Sequence, residues 1–232
     1  MAWARRWPAW RRPSSRARSC SPSVAGSAGA APLIGVLALQ GGFDAHQRRL
    51  ARLGADSRRV RTGRDLEELD GLILPGGEST TMSLGIEREG LADPLRDLAR
   101  AGVPVLGTCA GLIMLDRDHL DLMDLRAQRN AFGTQLESFE ADLALEGVEG
   151  APLHAVFIRA PWIAEYGPDV RVLAAMDGHP VAARQGDLLA VAFHPELSDD
   201  DRVHRLLLDA IAARRDGGGP DPDRDRAERA QA

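Results

Sequence analysis

The sequence predicts an α/β fold with a mostly parallel sheet covered by helices on both faces, and three observations predict it. Short runs of Ile, Val and Leu alternate with amphipathic stretches through the first half of the chain, as in a parallel sheet whose crossovers are helices. Apolar runs end in small residues at Gln40-Gly41-Gly42, Pro75-Gly76-Gly77 and Gly107-Thr108-Cys109-Ala110-Gly111, where a strand would turn sharply into a helix. A length of 232 residues, 44% of them hydrophobic, suffices for one large domain with a real core.

Each element follows from local pattern. Leu33 to Leu39 reads as the first strand and Phe43 to Leu53 as an amphipathic helix. Ser57 to Arg61 is a short second strand, Asp65 to Leu69 a helical turn, and Leu72-Ile73-Leu74 a buried strand. Ser79 or Thr80 caps a helix to about Arg88, and Leu91 to Ala101 is a helix stopped by Gly102. Val103 to Leu106 is the next strand, with Leu112 to Leu115 opening the helix beyond it.

The second half turns β-rich, with strand patterns over Gln135 to Glu146, His154 to Arg159, Val170 to Met176, Pro180 to Arg184 and Leu188 to Phe193. Asp199 to Arg215 returns to helical period, placing Val203, Leu206, Leu207, Ala210 and Ile211 on one face. The folded domain is therefore expected over residues 32–216.

The flanks read differently. Residues 1–31 carry six arginines, no acid and three of the four tryptophans, a composition that does not pack. It suits either an organellar targeting segment or leader translated from an upstream start codon. Residues 217–232, Gly- and Pro-rich with alternating charges, are expected to be disordered.

Composition excludes several classes of partner. A net charge of −5 gives no footprint for nucleic acid or an anionic membrane. No apolar run reaches the roughly 18 residues that span a bilayer. The two cysteines, Cys20 and Cys109, lie far apart in unlike contexts, so a reducing, cytoplasmic setting is expected.

The chemistry centres on Cys109. A small-x-nucleophile-x-small turn between strand and helix lets a nucleophile adopt a strained backbone without clashes. The adjoining helix N-terminus favours the thiolate. A structural cysteine between packing glycines is the alternative. His194-Pro195-Glu196 follows a predicted strand, and an extended backbone there would put His194 and Glu196 on one side, with the carboxylate orienting the imidazole. Cys109 and His194 would then converge beyond the carboxyl ends of neighbouring strands. Gly76-Gly77, with the N–H of Ala110, offers donors for an oxyanion.

These residues resemble a known family. Gly107 to Gly111 with His194-Pro195-Glu196 looks like the Cys-His-Glu triad of class I glutamine amidotransferases, whose fold is a three-layer α/β/α sandwich. Leu39-Gln40-Gly41, Leu74 to Thr81, Arg129-Asn130-Ala131-Phe132-Gly133 and Phe157-Ile158-Arg159-Ala160-Pro161 narrow the likeness to the glutaminase subunits of pyridoxal 5'-phosphate synthase.

The resemblance implies roles. Cys109 would attack the side-chain amide of glutamine, His194 would carry the proton and Glu196 would hold His194. Gly77 and Ala110 would bind the oxyanion. Gly77, Glu78, Ser79, Arg129, Ile158 and Arg159 match substrate-binding positions, and Gln40 a position linked to activation. Ammonia would pass to a (β/α)₈-barrel synthase subunit, PdxS, in a large hetero-oligomer making the vitamin B6 coenzyme. No cofactor or metal is implied, and no nucleic acid or membrane partner.

Two departures stand out. The segment between Cys109 and Arg129 is shorter than in the family, either a trimmed loop or a change that displaces Arg129. Thr134 stands where the family commonly has arginine. Asp116, Asp118, His119 and Asp121 read as a solvated helix end rather than a zinc site, and His46, His154, His179 and His204 as ordinary packing or surface residues. A catalytically weak docking subunit, or the glutaminase of another ammonia-using synthase, are the competing readings.

Overall fold

The computed structural model describes residues 30–129 and 138–217. Contacts divide the chain into Met1–Ala30 and Ala31–Ala232, and every element below lies in the second unit. The Arg-rich leader, Asn130 to Gly133, Thr134, the first residues of the strand predicted from Gln135, and the predicted tail beyond Gly217 lie outside the described residues.

A seven-stranded sheet forms the centre. In chain order the strands are β1 (Leu33–Leu37), β2 (Asp56–Val60), β3 (Gly71–Leu74), β4 (Val105–Thr108), β9 (Arg171–Met176), β10 (His179–Gln185) and β11 (Leu188–Val191). The spatial order is β2-β1-β3-β4-β11-β10-β9. The first five of these neighbours pair in parallel, and β10 pairs antiparallel with both β11 and β9. The central strands β3 and β4 are buried along their whole length, as strands with helices on both faces must be.

Five helices cover the sheet: α1 (Phe43–Arg52), α2 (Ser79–Arg88), α3 (Ala92–Arg100), α4 (Ala110–Leu115) and α5 (Arg202–Arg215). Consecutive residues of β4 show that two faces are used, because side chains alternate along a strand. A Cβ at Gly107 would lie 2.6 Å from Leu115 Cδ1 on α4, whereas the Thr108 hydroxyl faces His46 on α1 at 3.3 Å. The α1 face also holds α5, through His46 and His204. This is the three-layer α/β/α arrangement the sequence implies.

Two small antiparallel pairs complete the described structure: β5 (Leu125–Gln128) with β8 (Trp162–Tyr166), and β6 (Ser138–Leu143) with β7 (Leu153–Ile158). Neither β5 nor β8 is foreseen from the sequence.

Several boundaries shift for physical reasons. The first strand ends at Leu37, not Leu39, and β11 ends at Val191, not Phe193. Beyond β11 the Ala192 N–H still donates to the Val181 carbonyl of β10 at 2.8 Å, and the backbone then bonds elsewhere, with the His194 N–H donating to the Val156 carbonyl at 2.8 Å. The helical turn predicted at Asp65 starts earlier, at Gly63, where Thr62 and Asp65 cap each other's N–H groups. Helix α2 is capped by Glu78 rather than by Ser79 or Thr80, its carboxylate accepting from the N–H groups of Thr80 and Thr81. Helix α5 begins at Arg202, three residues later than predicted from Asp199. Among the described residues, no helix is long and apolar enough to cross a membrane.

Candidate active site

Cys109 sits between β4 and α4 with φ 48° and ψ −104°, a left-handed conformation that costs a non-glycine residue about 1–3 kcal/mol. The surroundings enforce it. The Cys109 N–H donates to the Val191 carbonyl at 2.8 Å, tying the turn to β11. A Cβ at Gly107 would lie 2.6 Å from the Gly111 carbonyl oxygen, and one at Gly111 would lie 1.9 Å from that of Leu74. Both glycines are there because backbone passes where a side chain would be. The expected sharp turn with Cys109 at its apex is present.

The loop after β3 packs onto the loop after β1. The Gly42 N–H donates to the Gly76 carbonyl at 3.0 Å, and a Cβ at Gly41, where φ is +98°, would lie 1.9 Å from that oxygen. Gln40 Oε1 accepts from the Glu78 N–H at 2.6 Å. The two glycine-bearing turns are thereby locked together beside Cys109.

His194 and Glu196 meet, but not on an extended backbone. Pro195–Leu197 is a single 3₁₀ turn with His194 at φ −107° and ψ 85°, and this turn brings Glu196 Oε1 to 2.8 Å from His194 Nδ1. A Cβ at Gly76 would lie 2.3 Å from His194 Cε1 and 3.2 Å from Cys109 Cβ, so the imidazole and the cysteine border the same glycine. The Cys109 sulfur lies 3.8 Å from the Ile158 carbonyl.

Burial works against charge on His194, yet interaction with Cys109 and with the Glu196 carboxylate outweighs it and pushes the imidazole up to about 10. Burial also opposes charge on Glu196, and the contacts with His194 and His46 overcome it to keep the carboxyl below its usual range. The pair is an imidazolium and a carboxylate at neutral pH.

A cavity of about 240 Å³ opens over Cys109, lined by Gln40, Gly77, Glu78, Ser79, Cys109, Ala110, Ile113, Arg129, Ile158, Arg159, Pro161 and His194. The candidate substrate and activation positions are in this lining, with Gly77 and Ala110 of the oxyanion candidates but not Gly76, and Glu196 stands behind His194. Ile113 and Pro161 are additions.

One wall is charged. Arg129 donates to Glu78 Oε1 at 3.1 Å and to Thr80 Oγ1 at 3.2 Å. Glu78 is held ionised down to about 2 by the N–H and hydroxyl of Thr81 and the N–H of Thr80. A fixed carboxylate and a guanidinium side by side suit a zwitterionic amino acid. The lining also carries Arg159, at φ 43°.

The shortened segment does not displace Arg129. Asp116, only 1% exposed, accepts from His119 Nδ1 at 2.7 Å, from the Asp118 N–H at 2.9 Å and from the Ala127 N–H of β5 at 3.2 Å. It ties the end of α4 directly to the strand that delivers Arg129 to the cavity.

Two histidines read as ordinary packing lie behind the site. His46 is fully buried, with Nε2 3.3 Å from Glu196 Oε2 and Nδ1 2.9 Å from His204 Nε2. The available signal was their place on apolar helix stripes: His46 precedes Leu50 by four residues, and His204 precedes Leu207 and Ile211.

Known proteins resemble the chain in sequence and in fold. Residues 36–213 match the model of the SNO glutamine amidotransferase family. The chain is 51% identical over 191 residues to pyridoxal 5'-phosphate synthase subunit PdxT of Mycobacteroides abscessus, covering 78% of this chain and 98% of that one. It is 53% identical over 193 residues to the PdxT subunit of Streptomyces coelicolor, covering 79% and 96%. A solved glutamine amidotransferase superposes with a TM-score of 0.73 at 44% identity, covering 77% of this chain and 98% of that one. The PurLQS structure from Thermotoga maritima, at 18% identity and TM-score 0.60, covers 78% of this chain and 98% of that one and shares the fold.

Proposed function

The chain belongs to the SNO glutamine amidotransferase family, and from that premise we propose that it is the glutaminase subunit of a pyridoxal 5'-phosphate synthase, with Cys109, His194 and Glu196 as its catalytic set. It hydrolyses glutamine to glutamate and ammonia, and the ammonia serves synthesis of the vitamin B6 coenzyme. The observation that carries the residue assignment is the convergence of Cys109, His194 and the Glu78–Arg129 pair on one cavity.

The chemistry follows from the groups present. Cys109 reacts as the thiolate beside the His194 imidazolium. Its sulfur forms a bond to the side-chain amide carbon of glutamine, and the carbonyl oxygen takes up the negative charge toward the N–H groups of Gly77 and Ala110. Collapse breaks the carbon–nitrogen bond as the His194 proton passes to the departing nitrogen, leaving ammonia and a γ-glutamyl thioester. Neutral His194 then takes a proton from water, whose oxygen attacks the thioester, and glutamate leaves as the cysteine is restored.

The rest of the lining binds the amino-acid head. Arg129 offers donors to the substrate carboxylate, Glu78 offers charge to its ammonium, and Ser79 and the backbone of Ile158 and Arg159 complete the set. Gln40 bonds to the backbone at Glu78, so a shift of the first loop moves the oxyanion side of the cavity. The ammonia acceptor is a (β/α)₈-barrel synthase subunit of the PdxS type, in a large hetero-oligomer in the cytoplasm.

The test is glutamate release from glutamine by the purified chain, with and without such a barrel subunit. Stimulation by the partner is expected. No glutamate even with partner bound would overturn the reading in favour of a docking subunit.

A further inference from the structure

The chemistry above stops at Glu196 and leaves a buried histidine pair unused. His46 on α1 and His204 on α5 are both fully buried, and their rings meet through His46 Nδ1 and His204 Nε2 at 2.9 Å. The other nitrogen of His46 lies 3.3 Å from both Glu196 Oε2 and Thr108 Oγ1. Oε2 has no well-aligned hydrogen bond of its own among the described residues, and neither has His204 Nδ1.

These positions select a tautomer. With a lone pair on His46 Nε2, the Thr108 hydroxyl can donate to it, but Glu196 Oε2 would face it as a second acceptor at 3.3 Å, and His204 would bury an Nδ1–H with nothing to receive it. With the proton on His46 Nε2, the N–H has two acceptors near it, Thr108 Oγ1 and Glu196 Oε2, each 3.3 Å from the nitrogen. His204 Nε2–H then donates to His46 Nδ1, and only the lone pair of His204 Nδ1 goes unused. Since an unmet buried donor facing nothing is the costlier defect, the second arrangement wins. Burial holds His46 neutral, with His194 and Arg49 also opposing its charge and Glu196 favouring it. Burial does the same for His204, with His46, Arg49 and Arg52 also opposing its charge and Glu196 favouring it.

Glu196 Oε1 is already committed to His194 Nδ1. We propose that His46 is a positioning residue for the catalytic set: its Nε2–H, kept in place by His204, faces the second oxygen of Glu196 and holds the carboxylate in the rotamer that orients His194. This rests on the reading of Cys109, His194 and Glu196 given above. It makes the set five residues deep, running from Cys109 through His194, Glu196 and His46 to His204.

The test uses readouts that need no glutamine. Nitrogen-15 spectra of the wild-type histidines, with His46 assigned by its loss in H46Q, should show the Nε2–H form of His46. The Nδ1–H form would overturn the proposal, whatever the variants do. The rate of Cys109 alkylation by iodoacetamide against pH, mapped by peptide mass spectrometry to separate it from Cys20, reports the thiolate–imidazolium pair.

In H46L the midpoint of that profile should rise by about half a pH unit, and kcat should fall several-fold with KM little changed, the scale of removing an N–H 3.3 Å from a buried carboxylate oxygen. H46Q, which keeps an N–H near Nε2, should restore the midpoint. An unchanged midpoint in folded H46L, or no restoration in folded H46Q, would show that His46 only fills space. If H46L does not fold, the wild-type spectrum decides alone. A normal profile shift without any glutaminase activity would sink the proposed function and leave this proposal standing.

Discussion

Gly76 faces the His194 imidazole so closely that a methyl group at position 76 would lie 2.3 Å from Cε1 and 2.8 Å from Nδ1. The same methyl group would lie 3.2 Å from Cys109 Cβ. Gly76→Ala therefore has to push the imidazole away from its contact with Glu196 or away from the sulfur. Misplacement of a catalytic group by about 1 Å costs on the order of 100-fold, so kcat/KM for glutamine should fall at least that far. The melting temperature should drop by only a few degrees, because the ring borders a cavity into which it can swing. Retained activity would show that His194 does not carry the proton.

How much of this was readable in the sequence depends on range. The Cys109 turn was legible because its requirement is local: residues two away on either side must be glycine where backbone passes within 2–3 Å. His194 and Glu196 were paired correctly but on the wrong backbone, since proximity in sequence brings them together through a 3₁₀ turn as well as through a strand. Strands β5 and β8 were missed because they pair across 33 or more intervening positions and are half exposed, so neither shows a clean apolar pattern. His46 and His204 are 158 positions apart, and only the pairing of helix faces reveals that each is the other's buried partner.

Replacing Cys109 with alanine should abolish glutamine-dependent coenzyme synthesis, by thousands-fold or more as for any triad nucleophile. It should also release His194. Cys109 is the foremost influence raising that imidazole to about 10, so a histidine titration followed by NMR should show His194 moving down in C109A. The sign for stability is fixed by this. A raised folded value means that the stabilisation is complete below the unfolded value of about 6.5 and is lost as pH rises through 10. Wild-type protein should lose melting temperature over that range, and C109A should lose less.

Arg129→Ala should act mainly on KM. Among the described residues the Arg129 guanidinium is the cation bonded to Glu78 in the cavity lining, and without it the ionised Glu78 would repel the substrate carboxylate. Loss of a charge-assisted hydrogen bond of about 1.5–3 kcal/mol corresponds to roughly a 10- to 100-fold rise in KM, with kcat changed much less. Arg129→Lys should not restore affinity, because a point charge cannot reach Glu78, Thr80 and a substrate carboxylate at once as a planar fork does. Steady-state kinetics on the three proteins decide it; a fall in kcat alone would remove Arg129 from the binding site.

The buried histidine pair should make the fold acid-sensitive in a specific window. His204 is held at about 3 by burial and His46 is also held below its ordinary value. As pH falls below about 6.5 the unfolded chain takes up protons that these residues refuse in the folded state, so stability falls with pH. At pH 5.5 the loss is about 1.4 kcal/mol for His204, and His46 adds to it in the same direction. Below about pH 6 the other coupled groups of the site change little. Glu196 is lowered, so its contribution is lost only below the carboxylate range, and His194, protonated in both states once pH is well under 6.5, is flat. Thermal melts between pH 6 and 5 should therefore slope downward on acidification, and His204→Leu should make that slope shallower. Equal melting temperatures at pH 6 and 5 in the wild type would mean that the pair accepts a proton when folded, and a charged His46 would then sit against Glu196 instead of a neutral one.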